Sequence, residues 1–415
     1  MNNRERMLAT IRGESTDALP WAPRMDLWAV GQQMRGTVPA AFRGKNLPEI
    51  ADEFGVACHA VRADYTTTTL HGRAPEDLMF RAFGIENHPD HPYRVQMCDL
   101  PVEFNYVPSD GPIGVFGKYR TVIHTAAGEV ESLLEYTPSL ARDGITQPEV
   151  MRRVLESPED YEKIAQVYEH FEVVPTPAAY RSFHDRIGGR GLAVACGPLS
   201  ASPVHALLHQ LMDMQTFFYA YMDDAVSMQR LGERMTPFWE AQLDALLQCD
   251  AEVVWWGANY DQNTTWPPFF AEEIVPWVAR VGDRMRGAGK LLASHCDGEN
   301  DRLLPYLPGC RLDVAESVCT EPMTKCSLRE LRLGMGPTTT IWGGIPAIAL
   351  LDSSLDDRAF EQHLDKVFAG IGSGKRLILG VSDNVPVDAR LDRLERITER
   401  VRAFGPVVPA ADGEL

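Results

Sequence analysis

Apolar residues in this chain gather in short continuous runs, each closed by glycine, proline or polar residues. In order they are Leu19–Trp28, Gly55–Asp64, Gly191–Gly197, Ala251–Gly257, Lys290–His295, Leu312–Val318, Thr339–Pro346 and Arg376–Asp383. Runs of this length suit strands covered on both faces, as in a parallel sheet. Helical periodicity fills the space between most of them. Ser202–Tyr219 carries its apolar residues on one face, and in Pro267–Gly287 the residues Phe269, Ile274, Trp277, Val278 and Val281 form one stripe. Leu355–Ile371 follows the seventh run and Leu391–Phe404 follows the eighth. Eight strands alternating with helices predict an α/β chain folded as a (β/α)8 TIM barrel. No GxGxxG fingerprint opens a helix, which argues against a dinucleotide-binding sheet.

One stretch breaks the alternation. From about residue 65 to 140 the pattern changes to short β-like pieces, PYRVQM, VEFNYV, VFGKYRTVIHT and EVESLLEY, separated by turns such as Pro108-Ser109-Asp110-Gly111. This predicts an antiparallel β insertion between strands 2 and 3, near the barrel mouth, with helices following over Gln147–Val173. An insertion on the loop side of a barrel lids or narrows an active site.

Composition narrows the function. The chain has 415 residues, within reach of a single large barrel domain over 1–415, and 45% of them are hydrophobic. Forty basic against 58 acidic side chains give a formal net charge of −18, which repels nucleic acid and anionic membranes. The polar start Met1–Arg12 has no secretory apolar segment and no 18-residue apolar run occurs, so the expected location is cytoplasmic. The eight cysteines form no CxxC pair and are expected to be reduced.

Chemistry in such a barrel sits where strands end. Strand 1 ends with Arg24 and Asp26, strand 2 with Arg62 and Asp64, and strand 4 runs into Asn259, Tyr260 and Asp261. Strand 5 ends in Ser294-His295-Cys296-Asp297-Gly298, strand 6 carries Glu316, and strand 8 ends in Ser382-Asp383-Asn384. His295, Asp297, Glu316 and Asp383 are therefore expected at one mouth, as metal ligands or acid–base groups. An ion-pair network balanced by Arg24 and Arg62 is the plainer reading of the same residues. Cys296 alternates away from His295 on an ideal strand.

Other features carry less. His205 and His209, four apart, share a helical face and could bind metal, but they have no carboxylate near in sequence, so surface or core placement is expected. One ring of Trp255-Trp256 should face the barrel, with Trp256 the candidate floor of a substrate pocket. Gly343-Gly344 permits a close backbone approach. Ile371–Lys375, IGSGK, lacks the spacing of a phosphate loop and precedes a strand.

Several segments together resemble the uroporphyrinogen-decarboxylase superfamily: Asn3-Arg4-Glu5-Arg6 through Arg12-Gly13-Glu14, then Pro20, HCDG at 295–298, WGGIP at 342–346 and LILGVSDNVP at 377–386. The resemblance implies either cofactor-free decarboxylation or methyl transfer involving zinc and a corrinoid protein. The decarboxylases carry RQAGRY-type and FSDI-type segments; here the first region reads PRMDLWAVGQQMRG and the second is missing, with only Arg24 equivalent. The thiol methyltransferases bind zinc through a His-x-Cys pair and a later Cys. His295 matches the histidine, Asp297 stands at the first cysteine, and Ser382 or Asp383 at the second. Carboxylates make a harder, more Lewis-acidic site than thiolates. No DxHxxG corrinoid signal is present, so the corrinoid would arrive on a partner protein.

The leading expectation is a cobalamin-dependent methyltransferase component. His295, Asp297, Glu316 and Asp383 would be ligands of Zn²⁺ or catalytic groups. Arg24, Asp26, Arg62, Asp64, Trp256, Asn259 and Tyr260 would bind the small-molecule substrate. A homodimer is what the resemblance implies. The rivals are a metal-free lyase or decarboxylase of a small carboxylate, with Arg24 or Arg62 holding the acid and Asp64 or Asp26 giving the proton, and a non-catalytic corrinoid or tetrapyrrole binder.

Overall fold

The computed structural model of the protein describes residues 1–61, 75–109 and 116–408. Six strands form one parallel sheet in the order Ala195–Cys196, Val253–Ala258, Leu291–His295, Val314–Val318, Thr340–Pro346 and Leu377–Ser382. Cys58–Ala60 pairs in parallel with Gly191–Ala193, which continues directly into the first of those six. The ring closes through Trp21, which bridges in parallel to Leu379 and whose carbonyl accepts from Ala57 N at 2.8 Å. Each of the eight apolar runs thus supplies one barrel strand, in chain order.

Alternation along these strands divides the apolar residues into two layers. Trp255, Ala258, Ala293, Val314, Trp342 and Ile378 point inward and pack together inside the barrel. Trp256, Leu292, Ala315, Ile341 and Leu379 point outward against the helices. The helix Asn3–Arg12 lays Met7, Leu8 and Ile11 against Leu192 and Val253, near the N-terminal ends of their strands. A reciprocal capping box between Asn2 and Glu5 fixes where that helix starts, a device that contributes about 1 kcal/mol. One end of the barrel is therefore plugged, and polar side chains gather at the other.

Between the second and third barrel strands, Val102–Pro108, Gly117–Thr125, Gly128–Tyr136 and Glu149–Arg152 make a four-stranded antiparallel sheet. Tyr93–Met97 pairs separately with Phe171–Pro175. The expected helices over Gln147–Val173 are corrected here: only a 3₁₀ turn, Pro158–Asp160, and the α-helix Tyr161–Glu169 are helical, flanked by the strands Glu149–Arg152 and Phe171–Pro175. Phe171–Pro175 pairs with the distant strand Tyr93–Met97 and Glu149–Arg152 with the preceding strand Gly128–Tyr136, and FEVVP is rich in strand-favouring residues, so local preference and pairing both favour strands here.

The helical reading of Ser202–Tyr219 also needs correction. A short helix, Pro203–Ala206, opens into a π-turn over Leu207–Leu211 and stops at an extended Met212. Asp213 then caps a new helix, Met214–Gln248, through its bond from Thr216 N. The other three helical stretches are present, as Pro267–Gly287 with a π-turn at Phe270–Ile274, Asp357–Ile371 and Leu391–Phe404. All eight cysteines are free thiols, and no helix among the described residues is long and apolar enough to cross a membrane.

Candidate active site at the barrel mouth

Parallel pairing puts His295 and Glu316 opposite each other on adjacent strands. Both side chains turn into the barrel, where His295 Nδ1 meets Glu316 Oε2 at 2.5 Å. The other carboxylate oxygen, Oε1, accepts from His59 Nε2 at 3.0 Å. His59 comes from the second barrel strand and packs on the Trp342 ring at 4.7 Å between centroids. One carboxylate thus holds two imidazoles.

The electrostatics follow from that geometry. Burial pushes the His295 imidazolium down, but the charge and hydrogen bond of Glu316, helped by Asp383 and Asp297, outweigh burial and raise its pKa above the ordinary value. For Glu316 burial pushes up, and the His295 and His59 partners more than reverse it, holding the carboxylate well below its usual range. Each member of the pair keeps the other charged. Burial moves Asp297 the opposite way, raising its pKa, with the neighbouring Asp383 and Glu316 charges adding to the rise and His295 opposing it.

Nearer to solvent, Arg24 grips Asp26 through Nε and Nη2, each at 2.8 Å, and reaches Asp383 through Nη1 at 3.0 Å. Asp383 Oδ1 stands 3.8 Å from His295 Nε2. Asn259, Ser317 and Asp383 all have positive φ, at 59°, 62° and 56°. They lie at the mouth ends of the fourth, sixth and eighth barrel strands, a backbone state that ordinary residues adopt rarely and that collects at functional sites. Two contacts hold this arrangement: Ser317 Oγ accepts from Asp383 N at 2.7 Å, and His295 O accepts from Asn259 N at 3.0 Å.

These side chains open onto a cavity of about 550 Å³, whose wall includes Arg24, Trp255, Asn259, His295, Asp297 and Asp383. The volume suits a small molecule. The far wall contains Arg81, Glu86, Glu149, Arg153, His209 and Gln210. Of these, Arg81 to Arg153 come from the insertion and the last two from the π-turn. His209 Nε2 lies 3.0 Å from Asn259 Nδ2. Burial, with the charges of Arg81 and Arg153 behind it, lowers the His209 pKa to about 4, so this imidazole is neutral where His295 is charged.

The expected residues divide clearly. Arg24, Asp26, Asn259, His295, Asp297, Glu316 and Asp383 gather at the mouth or just beneath it. Arg62 and Asp64 lie outside the described residues. Trp256 is corrected: its ring faces the helix layer and its Nε1 donates to Ala201 O at 2.9 Å, while Trp255 is the ring on the cavity wall. Two bulky neighbours on one strand must face opposite ways, and the register gives the inside to Trp255. Tyr260 is also corrected: it is fully buried, its hydroxyl 2.9 Å from Ser294 Oγ and its ring against Phe270, behind the cavity wall. The sequence reading passes over His59, Arg81 and Arg153, expects His209 at the surface or in the core, and prefers Trp256 to Trp255. A π-turn, which often marks functional sites, was the only structural signal for His209, and a helical periodicity does not reveal it.

The expected zinc ligands do not form a ligand set as they stand. Both Glu316 oxygens are engaged by imidazoles, and a guanidinium sits on Asp383. Among the described residues no group of three or more His, Cys, Asp and Glu side chains is placed to hold a metal ion.

The fold and this mouth define a (β/α)8-barrel protein with a small polar cavity at the C-terminal ends of its strands. Residues 140–404 match the family model described as uroporphyrinogen decarboxylase (URO-D), and the chain belongs to that family. Among solved structures it is similar to a methyltransferase from Methanosarcina mazei, with a TM-score of 0.56 and 13% sequence identity over 97% of this chain and 99% of that one. That likeness is one of fold. No curated protein sequence matches the chain.

Proposed function

We propose that the protein is an enzyme that takes a methyl group from the oxygen or nitrogen of a small substrate and passes it to a corrinoid carried by a partner protein at the barrel mouth. Membership of the URO-D family and a fold shared with a methyltransferase support the reading. The observation that carries it is the buried His295–Glu316 pair, in which Glu316 keeps the imidazole protonated at the edge of a substrate-sized cavity.

A reduced corrinoid would supply a strong nucleophile for the methyl carbon. The residues of this chain do the rest. His295 Nδ1 is committed to Glu316, which leaves Nε2 as the proton donor toward the cavity. As the methyl–heteroatom bond breaks, its electron pair goes to the heteroatom and the Nε2 proton follows, so the product leaves neutral at that atom. Glu316 compensates the charge on His295 before the transfer, and His59 holds Glu316 in line. Arg24 fixes Asp383 beside the donor, and Trp255 walls the substrate side. No step here requires a resident metal. The absence of a membrane-crossing helix among the described residues fits a cytoplasmic setting for such chemistry.

The test is a methyl-transfer assay. A panel of small methyl ethers and methylamines is offered to the purified protein with free reduced cobalamin, whose absorbance reports methylation. Transfer that depends on His295 supports the reading. A second reading, decarboxylation of a small acid with His295 protonating carbon, draws on the family match. Carbon dioxide release without any corrinoid would favour it over methyl transfer.

A further inference from the structure

The far wall of the cavity contains a cation that the proton-transfer chemistry does not use. Arg153 follows the inserted strand Glu149–Arg152 and is half-buried. Its Nη1 donates to the backbone carbonyl of Gln210 at 2.7 Å. Among the described residues it makes no ion pair, and its bonded partner is neutral. Arg81, at the end of the inserted helix Pro75–Arg81, shares this wall. The two guanidiniums feel each other: burial first and the Arg81 charge second lower the Arg153 pKa.

A partly buried guanidinium facing a like charge is costly unless something neutralises it. Among the described residues, the carboxylates near Arg153 do so incompletely. Asp213, whose field reaches Arg153, is committed to capping the helix Met214–Gln248 through Thr216 N at 2.9 Å. Glu149 is exposed at the rim, where water screens it, and Glu86 shares the wall without bonding to Arg153. Next to this cation the neutral His209 and the Gln210 side chain offer polar contacts of no net charge.

We infer that Arg153, with Arg81 beside it, is a substrate-binding subsite for a carboxylate, so that the methylated substrate is a small acid with its methyl-bearing end toward His295. The inference rests on the methyl-transfer reading for the role of the other end. A planar guanidinium fork with one edge tied to a carbonyl still offers paired N–H groups to a carboxylate. The insertion, which contributes both arginines, then selects the substrate, and the barrel strands carry the proton donor.

The probe pair is methoxyacetate and 2-methoxyethanol, alike in size and differing in the carboxylate. Their binding to the full-length protein is measured by calorimetry or ligand-observed nuclear magnetic resonance, with no corrinoid present. The wild type is expected to bind methoxyacetate at least about tenfold more tightly. Arg153→Gln should erase that preference, Arg153→Lys should keep part of it, and Arg81→Gln should reduce it. Equal binding of the two probes by the wild type, or a preference that survives both glutamine variants, would overturn the inference. Thermal melts verify that each variant is folded; if Arg153→Gln does not fold, Arg153→Lys and Arg81→Gln carry the test. Because the assay contains no corrinoid, a failure of methyl transfer leaves this result standing, and a failure here leaves methyl transfer untouched.

Discussion

His295 and Glu316, hydrogen-bonded at 2.5 Å across adjacent parallel strands, form a buried charged pair in which the imidazole titrates high and the carboxylate low. Neither strand end alone would hold such a pair. It exists because the register sets the two residues side by side and because His59 takes up the remaining oxygen of Glu316.

That pair links folding to pH. Glu316 has a depressed folded pKa, so its contribution is present above the unfolded carboxylate value of about 4.3 and is lost as pH falls through the folded one. His295 has a raised folded pKa, so its contribution is full below the unfolded imidazole value of about 6.5 and is lost as pH rises through the folded one. Glu316→Gln should therefore destabilise most between about pH 4.3 and 6.5, by roughly 3 kcal/mol for a broken buried pair. The gap from wild type should narrow on either side. Denaturant melts at several pH values check this; a pH-independent gap would show that the pair is not charged.

Replacing the proton donor should cost rate. His295→Ala is expected to lower the methyl-transfer rate by roughly 10²–10⁴, the range for general acid catalysis, with little change in substrate affinity. His59→Ala should cost less, because it touches the reaction only through Glu316. Single-turnover kinetics over a substrate series separate the two effects. Equal losses in both variants would argue that the cluster is structural.

Arg24 ties Asp26 and Asp383 together at the mouth, and its side chain is only 10% exposed. Arg24→Gln would remove a guanidinium from both carboxylates. The expected outcome is a loss of about 2–5 kcal/mol in stability together with weaker substrate binding. Comparing its melting curve and its affinity for methoxyacetate with those of Asp26→Asn tests the assignment. A variant as stable as wild type would show that the network is solvated.

With both Glu316 oxygens engaged and Arg24 on one oxygen of Asp383, a divalent ion would find only part of the expected ligand set open. Dialysis against a strong chelator is therefore expected to leave the rate unchanged, and elemental analysis should find well below one zinc per chain. Loss of activity that zinc alone restores would contradict the proton-donor role and return His295, Asp297 and Asp383 to the part of ligands.

Much of the frame was legible from sequence. Short apolar runs such as Leu377–Ser382, closed by polar residues and alternating with helical stretches, read as strands covered on both faces, and their strand-end residues Arg24, His295, Asp297 and Asp383 do converge. Side-chain direction was less legible. Trp255 and Trp256 differ only by one register step, and nothing local tells which faces inward. Tyr260 follows Asn259, whose positive φ turns the chain and sends the ring behind the wall. The far wall was not legible at all. Arg81, Arg153 and His209 meet there through the path of the insertion and a π-turn, neither of which has a periodic signature.

The most direct test is the pH dependence of single-turnover methyl transfer to reduced cobalamin, wild type beside Glu316→Gln. The wild-type rate should hold below the raised pKa of His295 and fall as pH rises through it. In Glu316→Gln, burial acts on His295 without its main opposing charge, so the same limb should move to lower pH and the plateau should drop. Profiles that superimpose, or a rate that climbs with pH through this range, would contradict His295 as the proton donor.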